Sequence, residues 1–330
     1  MPLDFSKFVK EIVNPLHFPS KEKRLLKQLR FSGGTYSDFA NILSEVPEFE
    51  KSLLEAANAM FESKLKEPLS VASVALSMIG FIPARNFLTA SLLTNSSTKI
   101  LPNHPDLSKV LRYSLEGESQ GGEHSGEYFL AGFVFDLITS VLVPPALATS
   151  KGGYSYLNNI WKHGLSVTKI AIQLSKKIAP EISLERDLIL DGMLHDIGKV
   201  AYDLLAPELD KTTGKTPPLS ETRWLEESKV FSIPHDALGF LMLSRLGFLE
   251  DTSWVVLFHH QPFLAENRGS SIYARTMLIW LADHLVRYRE HHRSSKMSDR
   301  ILDNWYQASK SAFGKCASNT FKDSLKGIQL

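Results

Sequence analysis

Residues 161–200 read WKHGLSVTKIAIQLSKKIAPEISLERDLILDGMLHDIGKV. Apolar residues recur here at i, i+3, i+4 and i+7, the spacing of helices that bury one face. His163 shares its face with Val167, Ile170 and Leu174, and His195 follows Leu184, Leu188 and Asp191 along another. The period-two alternation of a half-buried strand is missing from this stretch and from nearly all of the chain. The pattern therefore predicts an all-α fold.

Working outward, the N-terminal part repeats the helical signal. Phe39, Ile42 and Leu43 begin one helix behind Ser37 as N-cap, and Pro47 separates it from a second marked by Leu53, Leu54, Ala57, Met60 and Phe61. Val71, Val74, Ala75, Met78 and Ile79 form a third helix that Gly80 closes, and Pro83 opens a fourth. Residues 95–126 are rich in Ser, Gly, Asn and Pro and read as a loop-rich insertion. Further breaks are expected at ATSKGGYS (148–155) and LDKTTGKTPPLSE (209–221). The apolar run FLAGFVFDLITSVLV (129–143) is shorter than the ~20 residues of a membrane span and carries Asp136, so a buried core helix is expected. Beyond Arg289 the chain turns polar before one more helix through Trp305.

Composition excludes several classes. The chain has 330 residues, 43% hydrophobic and 22% charged, which rules out disorder, collagen and coiled-coil rods as descriptions of the whole. Lys plus Arg number 37 against 36 Asp plus Glu, a net charge of +1 that gives no general reason to bind nucleic acid or an anionic membrane. The basic stretch Arg287–Arg300 reads as solvated surface. A single cysteine, Cys316, excludes an internal disulfide and argues against a Cys-ligated zinc or iron–sulfur site. MPLDFSKFVKEIV has no apolar run of signal-peptide type, and a cytoplasmic protein is expected.

The histidines carry the chemistry. Besides His163 and the His195-Asp196 doublet, His235 shares a helical face with Leu238, Gly239, Met242 and Leu246, between Ser232 as N-cap and Gly247 as stop. His259-His260 ends the apolar run WVVLFHH before Pro262, and Asp283 lies on a helix with Ile279, Trp280 and Arg287. A lone histidine on an apolar face is ordinarily a core residue with one hydrogen bond. Several in separate helices would each need a buried partner, and convergence on metal ions satisfies them together. Adjacent residues on a regular helix point ~100° apart, so His259 and His260 would serve two neighbouring ions, or one ion and one substrate. Asp196 could bridge two ions through its two oxygens.

The order His163, His195-Asp196, His235, His259-His260, Asp283 resembles the HD superfamily of metal-dependent phosphohydrolases. The strings WKHGLSVTKIA, DGMLHDIGKV, FSIPHDALGFLML, LFHHQPF and IWLADHL carry that resemblance over residues 161–284. The segment SDFANILSEVPEFEKSLLEAANAMFES with LSVASVALSMIGFIPARNFLTASLL looks like the N-terminal helical portion of HDOD domains. The likeness extends over residues ~20–95 and ~155–290. HHQPFLAENRGSS follows the His pair where the cyclic di-GMP phosphodiesterases of the HD-GYP group carry a Gly-Tyr-Pro loop, so cyclic di-GMP is not the expected substrate.

The resemblance implies an HD-type helical bundle with an N-terminal HDOD-like subdomain. The implied organisation is 1–95 N-terminal subdomain, 96–155 insertion plus apolar helix, 156–290 metal-binding bundle and 291–330 helical tail. It further implies a signal-transduction protein with two divalent ions. His163, His195, Asp196 and Asp283 would hold one ion; Asp196, His235, His259 and His260 would complete the other. The all-N/O donor set suits Fe, Mn, Zn, Ni or Co. Binding makes water acidic enough to ionise near neutral pH, and the hydroxide would attack a phosphodiester or nucleotide. Asp196 and Lys199 are the expected catalytic residues. Lys199 would neutralise a phosphate oxygen, or else be a solvated helix-end lysine; Arg287 is a second phosphate candidate, or else a surface charge. The competing reading is a non-catalytic signalling module that binds a partner protein and keeps a structural metal.

Overall fold

The computed structural model describes residues 19–31, 41–61, 65–79, 151–180, 184–201, 233–247, 249–291, 298–314 and 318–328, with scattered residues between 84 and 138. Among them every regular element is a helix, so the fold is all-α as the periodicity predicts. Ser37, Gly80, Pro83, Ser232, Asp136, Cys316, most of the 96–155 segment and the 209–221 stretch lie outside the described residues. The chain divides into two compact units, one of His17–Val134 with Leu246–Phe248, the other of Met1–Leu16, Phe135–Arg245 and Leu249–Leu330.

In the smaller unit, α1 (Ser20–Phe31) buries Leu25 and Leu26 with Leu29 one turn on. Helix α2 (Pro47–Phe61) begins at the proline expected to break the chain. Proline suits a first helical position because the N–H it lacks would have had no partner there. Phe49, Leu53 and Ala57 form its buried stripe. The connection to α3 (Ala72–Ile79) is tied by Asn58, whose amide donates to the Leu69 carbonyl (3.0 Å) and accepts from the Leu69 N–H (2.6 Å). Ala72, Ala75 and Leu76 are the buried residues of α3.

The larger unit is built on α4 (Lys151–Ile178), a helix of 28 residues. It starts inside the ATSKGGYS stretch expected to be a break. Gly152 and Gly153 fall in its first turn, where N–H groups lack intrahelical partners, so a long amphipathic helix tolerates poor helix formers there. Then follow α5 (Glu185–Leu194), α6 (His235–Leu246), α7 (Glu250–Phe258), a 3-10 helix (Pro262–Arg268), α8 (Ser270–His291), α9 (Asp299–Ser309) and α10 (Ser318–Lys326). Gly247 ends α6 at a φ of 76°, as expected of that position.

The core interleaves Val167, Ile170 and Leu174 of α4 with Leu188 of α5, Val255 of α7, and Met277, Leu278, Leu281 and Leu285 of α8. Leu302, Trp305, Phe321 and Leu325 of α9 and α10 close one side of it. Of the apolar run at 129–143, Leu130, Ala131, Val134, Phe135 and Ile138 are helical and buried. Among the described residues no helix is long and apolar enough to cross a membrane.

Two glycines set how closely the ligand-bearing segments approach. A Cβ on Gly192 of α5 would lie 2.4 Å from Thr168 Oγ1 and 2.8 Å from Thr168 Cα, so only glycine lets α5 cross α4 at this distance. A Cβ on Gly198 would lie 1.8 Å from the His235 carbonyl oxygen and 2.7 Å from the Gly239 nitrogen, both backbone atoms of α6. Gly198→Ala must therefore push α6 off the turn after α5. The expected loss is about 1–3 kcal/mol or more, read as a lowered thermal midpoint by circular dichroism. An unchanged midpoint would mean that this contact is not tight.

Candidate metal centre

Each candidate side chain sits where a helix begins, ends or crosses another. His163 is in the middle of α4. Helix α5 stops at Leu194, and residues 195–198 form a turn tightened by Ile197 N–H to Leu194 O (3.0 Å) and Lys199 N–H to Asp196 O (2.9 Å). His235 is the first residue of α6. Helix α7 ends at Phe258, with His259 as its C-cap and His260 in the following turn. His259 keeps right-handed helical dihedrals (φ −62°, ψ −19°), yet the two rings come together, their centroids 4.0 Å apart, in spite of the ~100° expected between neighbours on a helix. Asp283 lies on α8, buried among Leu278, Leu281 and Ala282.

The structure brings these residues into two adjoining groups that share Asp196. One is Asp196, His235, His259 and His260; the other is His163, His195 and Asp196. His235 Nε2 lies 3.4 Å from His259 Nε2, 3.2 Å from His260 Nε2 and 3.1 Å from Asp196 Oδ1. His195 Nε2 lies 3.4 Å, and His163 Nε2 3.8 Å, from Asp196 Oδ2. Asp283 Oδ1 meets His163 Nε2 at 2.9 Å and lies 4.0 Å from His195 Nε2. It belongs to neither tight group and instead holds His163 and Arg287.

Backbone carbonyls fix which ring nitrogens face inward. His195 Nδ1 donates to Gly192 O (2.8 Å) and His259 Nδ1 to Val256 O (2.6 Å). A carbonyl only accepts, so both rings carry a proton on Nδ1 and turn Nε2 toward the cluster. This is the arrangement that orients metal-binding imidazoles.

Two atoms in the cluster, His195 Nε2 and Asp196 Oδ1, are buried without a hydrogen bond. Both are electron-pair donors, and an unsatisfied buried polar atom costs about 1–3 kcal/mol. The inter-ligand spacings of 3.1–3.4 Å match the edges of a coordination shell with metal–ligand bonds of about 2.0–2.2 Å. The residues present thus fit a divalent ion of the nitrogen- and oxygen-loving kind.

Charge balance supports the ligand state. Burial alone would raise the Asp196 carboxyl, but the Lys199 ammonium and His195 beside it outweigh burial and hold it well below the usual carboxylate range. Asp283 behaves likewise, burial being overcome by Arg287 and then His163. Burial lowers His259, and it lowers His260 further with the help of its imidazole neighbours.

A lowered histidine pKa has a definite consequence. Between the folded value and the ordinary 6.5, the unfolded chain binds the proton and the folded one does not. Stability then rises with pH. Metal-stripped protein should lose thermal stability as the buffer is acidified from pH 7 through 6.5 and below. A midpoint that climbed on acidification would contradict this.

The burial and contacts of three cations escaped the sequence reading. Lys199 is not a solvated helix-end residue: it is 4% exposed, with Nζ 2.5 Å from Asp196 Oδ2. Arg287 is 9% exposed rather than a surface charge, donating from Nε to Asp283 Oδ1 at 2.7 Å and placing Nη2 4.0 Å from Asp196 Oδ2. Arg275 of α8 forms a buried two-point pair with Asp191, Nε and Nη2 each 2.8 Å from a carboxylate oxygen. The available signal was an arginine alone inside the apolar run IYARTMLIWLA.

Residues 133–262 match the HDOD domain. The match takes in residues 133–155, which the sequence reading left between the two resembling portions. The chain is also similar, over 95% of its length and 93% of the other's, to the crystal structure of an HDOD domain protein with unknown function from Geobacter sulfurreducens. Identity there is 14% and the TM-score 0.45. No curated protein matches the chain.

Proposed function

We propose that this protein is a signalling protein of the HDOD type that has kept a working metal centre of the HD phosphohydrolase kind, and that the centre hydrolyses a phosphodiester or nucleotide. One observation carries the reading. The Nε2 atoms of His259 and His260, both from the end of α7, and Asp196 Oδ1 stand at coordination-shell spacing around His235 Nε2 of α6, and buried His195 Nε2 and Asp196 Oδ1 have no hydrogen-bond partner.

Asp196, His235, His259 and His260 would hold one ion, and His163, His195 and Asp196 the second, with Fe, Mn, Zn, Ni or Co all compatible with the donors. When bound, such ions make water acidic enough to ionise near neutral pH and polarise a phosphoryl oxygen. The chain's own residues do the rest. Asp196 ties the two groups together, Asp283 orients His163 through a 2.9 Å contact, and Lys199 and Arg287 offer cationic donors to phosphate oxygens.

The test is a screen of generic phosphodiesters and nucleotides with Mn and Fe, comparing wild type with Asp196→Ala. Turnover that is abolished in the variant supports the enzyme. Ion binding without turnover of any substrate would instead favour a non-catalytic signalling module with a structural metal, its partner a protein.

A further inference from the structure

The two groups are not equivalent, and the difference lies in which oxygen of Asp196 each one uses. Oδ1 faces His235 (3.1 Å) and His259 (3.7 Å) and has no hydrogen-bond donor. Oδ2 faces His195 and His163, and it is already engaged by the Lys199 ammonium at 2.5 Å. An ion entering the His235–His259–His260 group meets three imidazoles and an oxygen with no hydrogen-bond donor. An ion entering the His163–His195 group meets an oxygen that a buried ammonium already holds.

The formal charges point the same way. Asp196 and Asp283 contribute two negative charges, Lys199 and Arg287 two positive ones, and imidazole ligands are neutral, so the four side chains sum to zero. One divalent ion raises the sum to about +2 and two raise it to about +4, an uncompensated charge that a buried site resists strongly. A phosphate-type anion brings the missing negative charge. It also gives Lys199 an alternative partner, because an ammonium bonds phosphate oxygens as readily as a carboxylate.

We infer that the two ion sites fill in order: the His235–His259–His260 site first, and the His163–His195 site only together with a phosphate-type anion that draws Lys199 off Asp196 Oδ2. The inference rests on the metal-binding reading above and adds to it a coupling between anion and second ion. Lys199 acts here as an internal stand-in for the second cation. Linkage makes the coupling reciprocal, so the ion must strengthen the anion by the factor by which the anion strengthens the ion.

The test titrates metal-stripped, full-length protein with Mn2+, reading free Mn2+ by electron paramagnetic resonance, with and without inorganic phosphate. Wild type should take up one equivalent alone and a second when phosphate is present, with an affinity gain of at least ~5-fold, within the usual range of coupling factors. Phosphate binding, measured by calorimetry, should strengthen by the same factor when Mn2+ is added. Lys199→Met should accept the second equivalent without phosphate, whereas Lys199→Arg should keep the wild-type order. Circular dichroism melts establish that both variants are folded; should Lys199→Met not fold, the wild-type reciprocity and Lys199→Arg still decide. Two equal equivalents without phosphate, or a folded Lys199→Met that still needs it, would overturn the inference while leaving the metal centre intact. No Mn2+ uptake by wild type under either condition would instead sink the metal reading, and this inference with it.

Discussion

Arg275→Met should lower the unfolding free energy by about 3–5 kcal/mol, the usual result of removing one partner from a buried ion pair. Arg275 is 1% exposed and Asp191 fully buried. The guanidinium grips both carboxylate oxygens at 2.8 Å and reaches Thr252 Oγ1 at 3.4 Å, with Asp187 and Asp251 within 3.8 Å. Burial would lower the arginine's pKa, but Asp191 foremost, then Asp187 and Asp251, raise it further, so the cation persists across the accessible pH range. Methionine fills similar space and strands the Asp191 charge.

The paired change Asp191→Leu with Arg275→Met separates lost attraction from stranded charge. Most of the loss should return in the double variant, because a well-packed apolar pair often equals a buried ionic one. Denaturant melts of the four proteins measure it. A single variant within about 1 kcal/mol of wild type, the worth of an exposed pair, would show that the clasp carries no such weight. The location matters for the site. Asp191 lies one turn before His195 on α5, Thr252 lies on the helix that delivers His259, and Arg275 lies on the helix that carries Asp283.

The second large effect concerns the ions. A ligand that binds only the folded state stabilises it by about 4 kcal/mol at a thousandfold excess over its dissociation constant. Saturating Mn2+ should therefore raise the thermal midpoint of wild type well above that of metal-stripped protein. His235→Ala should abolish the rise, because His235 Nε2 is within 3.4 Å of three other donor atoms of its group. A full rise in His235→Ala would place the ion elsewhere.

How far the sequence reached depends on which forces were local. The all-α class follows from apolar periodicity, and α5, α6 and α7 lie where ISLERDLILDGML, His235–Leu246 and the WVVLF run predicted helices. The start of α4 was missed because two glycines mark breaks in general yet cost little in a first turn. Residues that were candidates only by type and order do come together: His163, His195, Asp196, His235, His259 and His260 fall in the two groups. The burial of Lys199 and Arg287 and the Arg275–Asp191 clasp were illegible, since each depends on how separate helices pack against one another. Sequence could show that those cations lie on helices. It could not show what closes over them.

Elemental analysis of protein expressed with metal supplementation and then exhaustively dialysed tests the central claim most directly. At least one equivalent of a transition metal per chain is expected in wild type, falling to a trace in a folded Asp196→Ala variant. A trace in both, with His195 and His259 still buried and the chain fully folded, would contradict the account.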